Sequence, residues 1–225
     1  MTIRELIPRR AEGLPPGQRQ VRAFPRFSDK PFRSAPPSEP ISLTVSVDGD
    51  PVSTFSADDL SRFEQVEQVS DFHCVTTWTY RGVLWGGVRF SELTATVFDG
   101  ATPPYLTAHA ADRTSAIYVT DDLDNDNVLL ATQLDGQPLD RRHGAPLRLV
   151  SPDQYGYKNI KHLVGLDFRH EEPASTMGPK EHLRARVAAE ERHSSLPNWA
   201  VKVQYRLSII PTALAAERTL RSSRR

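Results

Sequence analysis

The 225-residue chain sets 28 Lys plus Arg against 28 Asp plus Glu, so its formal net charge is zero and no global field draws it to nucleic acid or an anionic membrane. Hydrophobic residues at 38% and charged residues at 25% describe a globular chain with length for a real core, as one large domain or two small ones. A single cysteine, Cys74, excludes an internal disulfide and a Cys-rich zinc site.

Eight of the 18 prolines fall between Pro8 and Pro40. Proline lacks the backbone N–H and fixes φ, so residues 1–40 cannot be helix or central strand. They are expected to form an extended Pro-rich strap over the body, or else a disordered arm. Phe24, Phe27 and Phe32 favour the strap, because disordered segments are poor in aromatics. Arg9-Arg10 leads into Ala11-Glu12-Gly13-Leu14-Pro15-Pro16, where a secretory signal would turn apolar. No run of about 18 apolar residues occurs, so no membrane span is expected, and the cytoplasm is the expected compartment.

The body is expected over 41–170. Leu43, Val45 and Val47 alternate with Ser42, Thr44 and Ser46, and Asp48-Gly49 turns the chain toward Val52 and Phe55, which predicts a hairpin. Ser56-Ala57-Asp58-Asp59 has the form of a capping box and opens a short helix carrying Leu60 and Phe63. Further strands are expected at 72–79, 105–109, 115–120, 145–150 and 161–169, with a short helix at Ser91-Glu92-Leu93. Strands and helices interleave without a βαβ rhythm, so the class is α+β with mixed sheets and short helices. Residues 171–225 are expected to be a helical extension, amphipathic from Pro179 to His193 through Leu183, Val187 and Ala188, and then a solvated basic tail.

Two reflex readings carry little. Asp122-Leu123-Asp124-Asn125-Asp126-Asn127 begins like a calcium loop, but the turn glycine and the closing glutamate are replaced by Asn127 and Gln133. A Cys–His hydrolase built on Cys74 lacks any local signature, and a lone cysteine in an apolar stretch is most often a small core residue.

Two segments say more. One is Asp71-Phe72-His73-Cys74-Val75-Thr76-Thr77-Trp78, followed by Trp85-Gly86-Gly87-Val88. The other is His143-Gly144-Ala145-Pro146-Leu147-Arg148-Leu149-Val150, continuing through Tyr155-Gly156-Tyr157-Lys158-Asn159-Ile160-Lys161. Together, over residues 20–170, they resemble the molybdopterin-binding domain of the sulfite oxidase family, above all its small bacterial members. The resemblance implies a molybdenum–molybdopterin cofactor held by one protein cysteine. Cys74 stands at the ligand position, in keeping with the softness of a thiolate. It also implies that His143, Arg148 and Lys161 anchor the pterin and its phosphate. Gly156 then lets a backbone approach the ligand, and the Asn159 and Ile160 amides join that contact. Arg26 and Phe27, in the strap, and Asp112, after the strand at 105–109, fall at looser cofactor-contacting positions.

The chain also departs from these relatives. The animal and plant enzymes place an arginine soon after the ligand cysteine, whereas Val75, Thr76, Thr77 and Trp78 follow Cys74 here. The tyrosine that the family's oxidases set beside the metal has no counterpart between Tyr157 and Tyr205. Neither a C-terminal immunoglobulin-like domain nor a haem motif is evident, so a separate electron donor or acceptor is expected. The resulting expectation is an oxidoreductase transferring an oxygen atom to or from a small S- or N-containing substrate, with sulfite itself disfavoured. The alternative is a molybdopterin-binding carrier or subunit that is not itself a catalyst.

Overall fold

The computed structural model describes residues 3–7, 9–24, 39–176 and 181–190, together with Val203, Leu207 and Pro211. Contrary to the expectation that residues 1–40 hold no helix, the N-terminal segment contributes α1 (Ile3–Leu6), which ends before the first proline, Pro8, and the short strand β1 (Arg19–Gln20), in the proline-free stretch between Pro16 and Pro25. The alternating run then forms β2 (Ser42–Val47), which turns into β3 (Asp50–Ser56) through Asp48 and Gly49 at φ 50° and 92°. Leu43 and Val45 are buried, as the period of two requires. The capping box closes as expected: Ser56 Oγ accepts from the Asp59 amide, and Asp59 Oδ2 accepts from the Ser56 amide. It opens α2 (Ala57–Leu60). Phe63 lies beyond the helix end and packs on Phe55 at 6.1 Å between ring centroids.

The strand expected at 72–79 is instead the apex of a long hairpin of β4 (Val66–Cys74) and β5 (Trp78–Arg89). Thr77 takes φ 72° and donates its N–H to the Cys74 carbonyl at 3.0 Å, which folds the chain back inside what reads as one apolar run. There follow α3 (Phe90–Val97), β6 (Tyr105–Ala110), β7 (Ser115–Val119), β8 (Leu129–Leu134), β9 (Gln137–Pro138), β10 (Arg148–Val150) and β11 (Leu163–Arg169). The strand expected over 145–150 keeps only its last three residues, because Pro146 offers no N–H to a ladder. β8 escapes sequence reading because Leu129, Leu130 and Ala131 are all buried and show no alternation.

These strands make two sheets. In one, β5 lies between β4 and β8, β8 continues to β9 and β10, and β1 runs parallel to the start of β5. The other has the order β3-β2-β11-β6-β7 and is antiparallel apart from the β2–β11 pair. Both sheets feed one apolar core: Leu43, Leu106 and Phe168 from the second meet Val88, Leu130 and Leu149 from the first, with Phe90 and Leu93 of α3. Gly87 lets β5 and β8 close up, since a Cβ there would lie 2.2 Å from the Leu130 carbonyl oxygen. A smaller apolar cluster of Val83, Trp85, Leu129, Ala131 and Val150 occupies the other face of the first sheet. Alternation along β10 therefore sends Leu149 to the main core and Arg148 and Val150 to the outer face.

The helix expected from Pro179 to His193 is not formed in its described part, 181–190, where Ala185 and Ala188 have φ 50° and 65°. Tertiary bonds override helix propensity here. Tyr155 N–H donates to the Ala185 carbonyl at 3.0 Å, and Val187 N–H donates to the Asp153 carbonyl at 2.8 Å. None of the described helices is long and apolar enough to cross a membrane.

Candidate functional site

The outer face of the first sheet holds a cavity of about 210 Å³. Phe72 and Cys74, two apart on β4, both line it, followed by Val75, Thr76 and Trp78 from the hairpin turn. Cys74 is buried at 9% exposure beside Val21 and Trp78. The Thr76 hydroxyl donates to Cys74 Sγ at 3.1 Å. Burial pushes the thiol pKa up, and the hydrogen bonds from Thr76 only partly oppose it. Such a thiol stays protonated at neutral pH until a metal displaces the proton.

Opposite the hairpin lie Arg142, His143, Arg148, Tyr157, Asn159 and Lys161, with Gly156 at the loop start. Arg148 is 1% exposed. Its Nη1 donates to the His143 carbonyl at 2.8 Å and its Nη2 to the Asn159 carbonyl at 3.3 Å, while its Nε has no partner. The guanidinium lies 4.6 Å from the Trp85 ring centroid and 6.0 Å from that of Phe72. Burial alone pulls its pKa from 12.5 to about 9, so the cation persists at neutral pH. Among the described residues it has no carboxylate partner. A cation this buried with no counter-charge is costly by itself and marks a place for an anion.

The loop before β10 is pinned beside it. Asp140 Oδ1 accepts from the His143 N–H at 2.8 Å and contacts His143 Nδ1 at 2.9 Å. Partial burial resists ionisation of Asp140, but the His143 bonds and the Arg142 charge outweigh it and bring the pKa to about 2. Burial lowers the His143 pKa against the pull of Asp140. The neutral ring donates from Nδ1, leaving Nε2 as an acceptor. Lys161 Nζ donates to the Arg142 carbonyl at 3.1 Å. Gly144, at φ 104°, packs so closely on Lys161 that a Cβ would sit 2.8 Å from the lysine Cβ.

Cys74, His143, Arg148, Asn159 and Lys161 are thus brought to one cavity. Other expected site residues lie elsewhere. Asp112 sits in the β6–β7 turn, where Oδ1 accepts from the Thr114 N–H at 2.9 Å and from its hydroxyl at 2.6 Å. Ile160 is buried in the main core. The Asn159 and Ile160 amides are already used, donating to the carbonyls of Gly156 at 3.2 Å and Lys158 at 3.1 Å. Gly156 makes room for Phe72, whose ring would lie 2.5 Å from an added Cβ, so the close approach is to protein. Arg26 and Phe27 lie outside the described residues. Phe24 is an addition: it stacks on Tyr80 at 5.1 Å and also meets Phe72, Trp85 and His143. Its aromatic character in the strap was the only sequence signal. Val75 and Tyr157, inside the two segments singled out above, also line the cavity, as does Arg142, which nothing in its local pattern marked.

No cluster of three or more His, Cys, Asp or Glu among the described residues is arranged to hold a metal ion. The cavity instead pairs one thiol with cations suited to an anionic organic group, which is the donor set a phosphate-bearing metal cofactor needs. The comparisons agree with that chemistry. A family model described as the oxidoreductase molybdopterin binding domain matches residues 33–177. The uncharacterized oxidoreductase YuiH of Bacillus subtilis (strain 168) is 30% identical over 160 residues, covering 70% of this chain and 80% of that protein. A protein-methionine-sulfoxide reductase catalytic subunit, MsrP, of Xanthomonas campestris pv. campestris is 38% identical over 94 residues, 40% of this chain and 28% of that one. The sulfane dehydrogenase SoxCD from Paracoccus pantotrophus shares the fold at TM-score 0.54 and 20% identity, over 67% of this chain and 44% of that chain. The fold, the thiol and the buried arginine converge with these matches: the chain belongs to the sulfite oxidase-like family of molybdopterin-binding oxidoreductases.

Proposed function

We propose that the protein is a molybdenum-dependent oxidoreductase that transfers an oxygen atom on a small, neutral sulfur- or nitrogen-containing substrate, with sulfoxide or N-oxide reduction as the favoured direction. The observation that carries this is the buried Arg148, with its unpartnered Nε, in the same cavity as the only thiol. When bound, the cofactor supplies the two-electron redox change and the oxygen transfer. Cys74 would be the protein's ligand to the metal, giving up its proton as the metal binds. Arg148 and Lys161 would hold the phosphate end, and the Nε2 of His143 is left to accept from a donor on the pterin.

The remaining residues exclude water and shape the substrate side. Phe72, Val75, Trp78 and Tyr157 make an apolar wall beside Cys74. The cavity is not free of charge, as the residues after Cys74 alone suggest. Its cations, however, are tied to the 142–161 side through the Arg142, His143 and Asn159 carbonyls. An apolar wall favours a neutral substrate over a dianion, which needs a fixed charge of its own. The match to a protein named as the catalytic subunit of a methionine sulfoxide reductase supports the sulfoxide, and the word subunit supports a separate redox partner.

Steady-state assay of molybdenum-replete protein with a reduced viologen dye as donor tests this reading. Dimethyl sulfoxide or methionine sulfoxide should turn over, sulfite oxidation should be slow, and Cys74→Ser should be inactive though folded. Efficient sulfite turnover overturns the substrate class. Full cofactor content without turnover of any oxide leaves the carrier reading in its place.

A further inference from the structure

The N-terminal strap does more than cover the sheet. Gln18 is buried at 9% exposure. Its Nε2 donates to the carbonyl oxygen of Cys74 at 3.1 Å, and its Oε1 accepts from the Thr79 hydroxyl at 3.2 Å. Thr79 has one hydroxyl hydrogen, already given to Gln18, so the 2.9 Å contact with His73 Nδ1 is a donation from the ring. A directed chain therefore runs from His73 through Thr79 and Gln18 to Cys74 O. It begins and ends on adjacent residues and passes through the strap. Flanking backbone bonds fix the register: Arg19 N–H donates to Thr77 O at 3.1 Å, and Val21 N–H donates to Thr79 O at 2.9 Å.

The turn so gripped is one that the chain disfavours by itself. Thr77 is β-branched yet sits at φ 72°, in the left-handed region that such residues avoid. Conformations of this kind persist only where surrounding contacts over-determine them. Cys74 O accepts from both Thr77 N–H and Gln18 Nε2, which uses both of its lone pairs. We infer that Gln18 is a positioning residue: through Cys74 O it sets the direction in which the Cys74 thiol enters the cavity, and thereby how well the metal is held. The part concerning metal rests on Cys74 being the ligand.

Because Cys74 is the only cysteine, its alkylation reports the turn without ambiguity. Full-length Gln18→Ala, Thr79→Val and a strap control, Gln20→Ala, would be compared with the parent in two measurements. The first is the rate of iodoacetamide alkylation of metal-free protein; the second is the molybdenum-to-pterin ratio of cofactor-replete protein. Gln18→Ala should speed alkylation by about fivefold, the factor that one hydrogen bond of ordinary net strength carries. It should also lower the metal-to-pterin ratio and alter the Mo(V) electron paramagnetic resonance signal of the metal that remains. Thr79→Val, which leaves the strap sequence intact, should move all three in the same direction by less, and Gln20→Ala should move none. Parent-like alkylation and metal content in both Gln18→Ala and Thr79→Val overturn the inference, and so does an equal change in Gln20→Ala. If Cys74→Ser keeps its full molybdenum while Gln18→Ala still exposes the thiol, the ligand assignment fails and the positioning of the turn stands.

Discussion

Two buried cations lie on either side of one short loop, and their surroundings differ in kind. Lys158 is fully buried, forms an ion pair with the buried Glu181 at 3.5 Å, and donates to the carbonyls of Ile117 and of Leu183, the latter at 3.0 Å. Glu181 in turn accepts from the amides of Ile117 and Thr176, each at 2.9 Å. Burial pulls the Lys158 pKa to about 8 against the opposing effect of Glu181. Arg148 is as deeply buried, yet it meets only two carbonyls and two aromatic rings and keeps Nε without a partner. Lys158 is completed by its own chain; Arg148 is not. The first fastens the 181–190 segment onto β7 and the loop, and the second waits on a ligand.

Substituting each cation is the sharpest way to break that contrast. Lys158→Met strands Glu181 as a buried charge and should cost about 3–5 kcal/mol. Thermal unfolding should then fall by about 10 °C for a chain of this size; an unchanged melting point would make the two cations equivalent. Arg148→Met removes an uncompensated charge and strands two carbonyls but no carboxylate, so cofactor-free protein should melt within a few degrees of the parent and well above Lys158→Met. The cofactor content of Arg148→Met should fall roughly tenfold or more, as for loss of a charge-assisted contact. Lowered stability with full cofactor content would reverse the assignment.

The smallest effect lies in the loop beside Arg148. Asp140 titrates at about 2 in the folded chain against an ordinary 3.8. A depressed carboxylate stabilises the fold above its unfolded pKa, so this contribution is complete above pH 3.8 and is lost as the pH falls toward about 2. The carboxylate is 55% exposed, and screening leaves about 1 kcal/mol of the effect. Urea midpoints on either side of that window should differ less in Asp140→Asn than in the parent.

What the sequence made legible follows the same division. Leu43, Val45, Val47 and the Ser56–Asp59 cap are local signals, and local physics realises them. His143, Arg148 and Lys161 stand out through the family resemblance of their segments, and the fold sets all three along one cavity. Long-range partners are another matter. In Gly156-Tyr157-Lys158-Asn159-Ile160-Lys161 nothing local separates the lysine that pairs with Glu181 from the one that lines the cavity. The apolar spacing of Leu183, Val187 and Ala188 suits a helix, yet bonds to Asp153, Tyr155 and Lys158 decide otherwise. Gln18 sits in a Pro-rich run with no periodicity, so its bond to Cys74, 56 residues downstream, leaves no trace in its neighbourhood.

The parallel pairing of Arg19 with Trp78 and Gln20 with Thr79 also sets an order in time. The strap leaves the ribosome before the strand it pairs with has been made, and β5 takes shape only after turning back on β4. A segment translated ahead of its partner strand is therefore among the last to dock. Until it does, Phe24 is not yet stacked against Phe72, Tyr80 and His143, and the cavity stands open on that side. Non-local closure of this kind is slow compared with hairpin formation, so the faces of Phe72, Tyr80 and His143 that Phe24 covers are among the last of the apolar surface to leave water.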